Sequence, residues 1–160
     1  MASGIEIERK FLLSRLPQAM RYARREPIRQ GYLALDGETE VRVRLSPKGA
    51  VLTIKSGHGE VRTEVEVALD AGRGDALWAL TEDRRIEKTR RRVRVGDAVV
   101  EVDEYSGALD GLVVAEVEFD DEQAAQAFTP PEWFGRELTG EAAYANRSLA
   151  CDGLPPAGAG

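Results

Sequence analysis

Apolar and polar residues alternate with period two in eight short segments of this chain, and that recurrence restricts it to a sheet protein. Successive side chains on a strand point to opposite faces, so each segment has one apolar and one charged side. In the first segment, Ile5, Ile7 and Phe11 share one face while Glu6, Glu8 and Lys10 share the other. The segments are 4–12, 28–35, 39–45, 50–55, 61–69, 86–95, 98–105 and 112–119. Asp36-Gly37, Pro47 to Gly49 and Gly96-Asp97 punctuate them as hairpin turns.

Helical patterns fill the intervals. Ser14 is placed to cap a helix over 15–26, ended by Pro27. Asp70 caps a second, running to about residue 83, which would bury Leu77, Trp78 and Leu80. A third starts at Asp120 or Asp121 and runs to about 127; a fourth covers about 141–150 and offers Tyr144 and Leu149 to a core. Strands in hairpin order with helices set apart predict an α+β fold with the helices on the outside. A chain of 160 residues without repeat or linker is expected to form one domain over 1–152, with a Gly- and Pro-rich tail over 153–160.

Charge narrows the function. A net charge of −6 argues against a nucleic-acid binder, and no apolar run is long enough to span a membrane. One cysteine, Cys151, allows no internal disulfide, and no signal-peptide pattern is visible, so the expected location is the cytoplasm. The signs segregate by strand: Arg42 and Arg44 on one, Lys88, Arg90, Arg92 and Arg94 on another, Glu101 with Asp103, and Glu116 with Glu118. Lys55 and the mixed run Arg62, Glu64, Glu66 complete the charged face. A plain solvated face mixes signs, because like charges across paired strands destabilise them. Segregated charge points instead to ligands, polyanions for the basic strands and divalent cations for the acidic ones. Carboxylate oxygens suit Mg2+ or Mn2+ better than Zn2+, and such metals beside Arg and Lys clamps serve phosphoryl transfer. A sheet curled with this face inward would form a charged tunnel.

Glu6-x-Glu8-x-Lys10 resembles the ExExK signature of the CYTH superfamily, the triphosphate tunnel metalloenzymes. Seven further blocks follow in order: Gly31-Tyr32-Leu33, Val41 to Arg44, Leu52 to Lys55, Arg62-x-Glu64-x-Glu66, Lys88-Thr89-Arg90, Glu101 to Tyr105, and Ala115 to Glu118. The resemblance, over about residues 4–150, implies an eight-stranded antiparallel β-barrel whose interior binds triphosphate and divalent metal. Its IEIERKFL opening is most similar to the inorganic triphosphatase branch. On that mapping Arg42, Arg44, Lys55, Lys88 and Arg90, with Arg62, hold phosphate, while Glu6, Glu8, Glu116 and Glu118, with Glu64 and Asp103, serve Mg2+ or Mn2+. Lys10 contacts phosphate or orients the attacking water, assisted by Tyr32. A triphosphate-containing small molecule is the expected partner, and a homodimer is compatible with the family. The same scaffold could host a class IV adenylyl cyclase, a thiamine triphosphatase or a polyphosphate-binding module.

The chain departs from the family pattern in two places. Arg91 stands where an aromatic residue often follows the Lys-Thr-Arg block, and Ala143 where a basic residue often precedes the tyrosine, leaving Arg136 or Arg147 as stand-ins. His58 reads as a loop histidine, Trp78 and Trp133 as packing residues, and Glu104 as facing away from the tunnel.

Overall fold

The computed structural model describes residues 7–58 and 61–156, with the side chains of His58, Val61 and Arg62 outside the description. In chain order it contains β1 (Ile7–Leu13), β2 (Glu26–Asp36), β3 (Thr39–Ser46), β4 (Gly49–His58), β5 (Val61–Leu69), α1 (Ala71–Ala79), β6 (Arg85–Val95), β7 (Ala98–Tyr105), β8 (Val113–Phe119), α2 (Glu122–Ala127) and α3 (Asn146–Asp152). All eight strands join one antiparallel sheet in the order β1-β8-β7-β6-β2-β3-β4-β5. Most neighbours are hairpin partners, so local turns set the register. Gly37 and Gly96 open the two-residue turns β2–β3 and β6–β7 at φ of 56° and 61°, a region that glycine enters without a Cβ clash.

Register fixes which residues share a face. Glu8 lies opposite Glu118 and Lys10 opposite Glu116; Glu116 in turn faces Glu101, and Asp103 faces Arg90. Across the sheet Gln30 faces Arg44, Tyr32 faces Arg42, Glu40 faces Lys55, and Lys55 faces Glu64. In β2 the register shifts between Tyr32 and Ala34, a bulge that returns Leu35 to the face of Glu40 and strengthens the strand's coil.

Two apolar cores lie on opposite faces. Outside, Phe11, Leu13, Val100, Val102, Val113, Ala115 and Val117 pack beneath Met20, Phe128, Trp133 and Phe134. Each valine here is 5% exposed or less, worth about 1.5–3 kcal/mol of burial. Inside, Tyr32, Ile86, Tyr105 and Val114 meet Leu109, Leu112, Leu138, Tyr144 and Leu149, closing one end of the curled sheet. Helices α1 and α2 pack outside, each capped by an aspartate. Asp70 accepts from the Arg73 N–H at 2.8 Å and Asp121 from the Ala124 N–H at 2.7 Å.

Three local expectations change. The segment 15–26 forms only a 3-10 turn at Gln18–Met20, because β2 claims Glu26 and its pairing with Arg90. Helix α1 ends at Ala79, and Leu80 is exposed rather than buried. The last helix divides into a 3-10 turn at Ala142–Tyr144 and α3, which plugs the inner core through Leu149 and Ala150. Strand β4 runs through His58, which pairs with Val61. The free edge of β1 bonds to the segment 135–138, Leu12 N–H donating to the Arg136 carbonyl at 2.8 Å and Leu138 N–H to the Lys10 carbonyl at 2.7 Å. Among the described residues no ladder joins β1 to β5. No described helix is long and apolar enough to cross a membrane.

Candidate active site on the concave face

All eight strands contribute to one cavity of about 420 Å3. A flat sheet could not bring β1 and β5, its two edges, onto one cavity, so the sheet must curl around it. The described residues lining it include six cations, Lys10, Arg42, Arg44, Lys55, Arg90 and Arg147. They also include seven carboxylates, Glu8, Glu40, Glu64, Glu66, Glu101, Glu116 and Glu118. Tyr32 is the one aromatic among them.

The cations divide into satisfied and unsatisfied groups. Arg90 is paired with two carboxylates and keeps two of its five N–H donors unused. Its Nε donates to Asp103 Oδ1 at 2.8 Å, its Nη2 to Asp103 Oδ2 at 2.9 Å and its Nη1 to Glu101 at 3.2 Å. Lys55 Nζ lies 3.6 Å from Glu64, and Lys10 Nζ lies 3.4 Å from Glu116 while donating to the Tyr144 carbonyl at 3.2 Å. Arg44 has no carboxylate partner within ion-pair distance among the described residues; its Nε donates to neutral Gln30 Oε1 at 3.1 Å. Burial, then Arg42 and Arg90 as like charges, push its guanidinium below the ordinary value. Among the described residues Arg42 has Glu40, at 3.8 Å, as its one carboxylate partner; its guanidinium also meets the Tyr32 hydroxyl, and its buried Nε has no hydrogen-bond partner. Two adjacent guanidiniums with unused donors are what a bound polyanion would satisfy.

The carboxylates form cross-strand like pairs. Glu8 faces Glu118 and Glu101 faces Glu116, arrangements that repel unless a cation intervenes. No three described carboxylates converge tightly enough to cage a metal by themselves. Mg2+ takes one or two carboxylates plus substrate phosphates, and the donor set fits that mode.

Of the residues expected in the site, Glu8, Lys10, Tyr32, Arg42, Arg44, Lys55, Glu64, Arg90, Glu116 and Glu118 line the cavity. Glu6 lies outside the described residues, as does the Arg62 side chain, although Arg62 itself stands in β5 opposite Gly57. Lys88 and Asp103 are placed differently. Their side chains are 0% and 2% exposed, and Lys88 Nζ donates to Asp103 at 2.8 Å. Burial alone would raise the Asp103 carboxyl, but Lys88 and Arg90 outweigh it and hold it far below the usual range. Lys88 and Arg90 together spend three donors on the Asp103 carboxylate, and neither Lys88 nor Asp103 is among the residues lining the cavity.

Tyr32 and Lys10 both line the cavity, Lys10 beside Glu116, and the Tyr32 hydroxyl accepts from Gln30 Nε2 at 3.0 Å. Burial raises the Tyr32 phenol above its ordinary value, so it stays protonated near neutral pH. Glu104 faces outward and meets Arg91 at 3.2 Å. Trp78 packs under Arg85, 4.3 Å from its ring centre, and Trp133 edge-on against Phe134 at 4.6 Å.

Glu40, Glu66 and Glu101 were not among the expected site residues, although each shares strand parity with one that was. Arg147 comes from α3, beyond the reach of any strand pattern. It extends to Glu40 at 3.9 Å and to the Gly37 carbonyl at 3.3 Å. Arg136 pairs with Glu141 outside the cavity, and of the two cations considered beside Ala143 it is Arg147 that lines the wall.

Comparison with known proteins agrees with this geometry. The CYTH domain model matches residues 4–148. An inorganic triphosphatase from Nitrosomonas europaea is 43% identical over 147 residues, covering 91% of this chain and 96% of that protein. One from Acetivibrio thermocellus is 38% identical over 153 residues, covering 91% and 93%. The crystal structure of the inorganic triphosphatase NE1496 superposes with a TM-score of 0.76 at 40% identity, covering 94% of this chain and 97% of that one. The chain belongs to the CYTH domain family.

Proposed function

We propose that this protein hydrolyses inorganic triphosphate inside the curled sheet, water attacking a terminal phosphorus and diphosphate departing. The observation that carries the reading is the pair Arg42 and Arg44, adjacent, mostly buried and short of acceptors, on a wall otherwise balanced in charge. The inorganic triphosphatases that resemble this chain over nine-tenths of its length support the same substrate.

Arg42 and Arg44 would clamp the inner phosphates, and Arg90, held rigid by Asp103 and Glu101, would present its remaining edge to the substrate. Fixing these donors before the substrate arrives lets them stabilise developing charge without reorganisation. Lys55 and Lys10 neutralise further phosphate oxygens. Tyr32, kept protonated, donates rather than accepts a proton at the phosphate or the water. Glu8, Glu116 and Glu118, joined by Glu64, are the residues that would hold Mg2+ or Mn2+. Such an ion supplies neutralisation of phosphate charge and a more acidic water. With Tyr32 the sole described aromatic on the wall, the cavity offers no shelf for an adenine or thiazolium ring. Cys151, exposed and solitary, suits work in the reducing cytoplasm.

The test is a substrate panel of inorganic triphosphate, ATP and thiamine triphosphate with Mg2+, Mn2+ or EDTA. Metal-dependent phosphate release with kcat/KM for triphosphate at least about 100-fold above ATP is expected, a difference of about 2.7 kcal/mol in transition-state binding. Cyclic AMP from ATP would transfer the site to the cyclase reading, and tight triphosphate binding without turnover would make it a binding module.

A further inference from the structure

Gln30 is a buried polar side chain that the chemistry proposed above leaves unused. It stands on β2 two residues before Tyr32 and shares its face; across the sheet Gln30 pairs with Arg44 and Tyr32 with Arg42. Tyr32, Arg42 and Arg44 line the cavity, while Gln30 is wholly buried behind them, paired with Ile86 on its other side. An amide in that setting is costly unless both of its ends are satisfied. Here Oε1 accepts from Arg44 Nε at 3.1 Å and Nε2 donates to the Tyr32 hydroxyl at 3.0 Å. Chemistry fixes that orientation. A guanidinium has only donors, so the amide oxygen must face Arg44 and the amide nitrogen must face Tyr32. Toward Gln30 the Tyr32 hydroxyl therefore acts only as an acceptor. Arg42, whose guanidinium also meets this hydroxyl, is likewise a donor. The hydroxyl proton can go to neither neighbour, and the cavity that Tyr32 lines is the direction left for it. At the other end of the amide, Arg44 spends Nε on Gln30, which leaves its terminal nitrogens to the substrate. The backbone carrying the pair is held as well. A Cβ on Gly31 would lie 2.3 Å from the Thr81 hydroxyl oxygen, and Tyr32 N–H donates to the Arg84 carbonyl at 3.0 Å.

We propose that Gln30 is a positioning residue for triphosphate hydrolysis, its amide directing the Tyr32 hydroxyl proton and the Arg44 guanidinium into the cavity so that both meet the substrate as donors. The inference rests on the triphosphatase reading and deepens it by naming what sets the direction of those donors. A hydroxyl free to turn would spend part of its time presenting lone pairs to anionic phosphate oxygens. An amide that already donates to it removes that state, and donors fixed in advance stabilise developing charge without reorganisation. An apolar residue at position 30 would pack beside Ile86 but leave Arg44 Nε buried without an acceptor. A glutamate would act differently. Its two acceptor oxygens keep Arg44 and take the Tyr32 proton, which reverses the hydroxyl while the shape is kept.

The test measures kcat and KM for inorganic triphosphate with Mg2+, together with melting temperature. The proteins are wild type, Gln30→Glu, Gln30→Met and Tyr32→Phe, and each Gln30 variant combined with Tyr32→Phe. Tyr32→Phe should lower kcat about 100-fold. Gln30→Glu should lower kcat at least about tenfold when the hydroxyl is present, and no more than about twofold when Tyr32 is already phenylalanine. Its effect on KM, exerted through Arg44, should be the same in both backgrounds. Gln30→Met should lower kcat less than Gln30→Glu and yet melt at a lower temperature, since it leaves Arg44 Nε without an acceptor. Activity and stability then run in opposite orders, which a role confined to packing does not produce. Wild-type kcat in Gln30→Glu, or a kcat loss of the same factor with and without the Tyr32 hydroxyl, overturns the assignment; so does activity that simply follows melting temperature. If Gln30→Glu does not fold, Gln30→Met carries the same cycle, its loss of kcat having to disappear in the Tyr32→Phe background. In each of these cases an active wild type leaves the triphosphatase reading standing. A wild type that releases no phosphate from triphosphate would remove that reading and this inference with it.

Discussion

Replacing Asp103 by asparagine separates the two roles open to that residue, metal ligand and cation anchor. The carboxylate accepts Lys88 Nζ at 2.8 Å, Arg90 Nε at 2.8 Å and Arg90 Nη2 at 2.9 Å, with 2% of the side chain exposed. Asparagine keeps the shape and loses the charge. Arg90 retains Glu101, but Lys88 has no second carboxylate within ion-pair distance among the described residues. Removing one partner from a buried ion pair costs about 3–5 kcal/mol. For a domain of this size each kcal/mol is about 2–4 °C, so the melting temperature should fall by about 6–20 °C. The sign with pH follows from the depressed carboxyl. Its stabilisation is fully present above the unfolded value of about 4 and is lost as pH falls toward the much lower folded value. The gap between wild type and variant is therefore widest near neutrality and narrows in strong acid. Thermal melts followed by circular dichroism across pH, with metal titrations of turnover alongside, test both points. An unchanged melting temperature together with a raised metal requirement would refute the anchor and restore Asp103 to the metal.

Other substitutions probe the cavity wall. Arg44→Gln removes a guanidinium with no carboxylate partner among the described residues, so KM for triphosphate should rise about 10- to 100-fold, as for loss of a charge-assisted hydrogen bond; an unchanged KM argues against the clamp. Glu116→Gln should raise the half-saturating metal concentration by about tenfold or more while the protein stays folded, and wild-type metal dependence would remove Glu116 from that role. Arg147→Ala, at a side chain 35% exposed, should raise KM only about threefold, and a loss beyond thirtyfold would make α3 central to binding.

Strand parity made most of this site legible. Because side chains alternate strictly, finding Arg42 and Arg44 on one face placed Glu40 there too, and Glu64 carried Glu66 with it. Parity says nothing of depth, however. Lys88 and Arg90 share a face, yet Lys88 sits where the inner core closes over it and Arg90 sits at the cavity, a difference set by the stagger of neighbouring strands. Asp103 was legible as a carboxylate among carboxylates but not as the acceptor for two cations, since that depends on its pairing opposite Arg90. The contribution of α3 was harder still. A short helix seated by Leu149 and Tyr144 brings Arg147 to the wall, and no periodicity in the strands signals it. The helix expected over 15–26 failed for a similar reason, as sheet pairing of Glu26 outweighed local helix preference.

Hydrolysis of inorganic triphosphate in 18O-enriched water, with Mg2+ and with EDTA, tests the central proposal most directly. The account predicts metal-dependent release in which the orthophosphate carries one solvent oxygen and the diphosphate carries none. Label appearing in the diphosphate, or release that persists without metal, would contradict it.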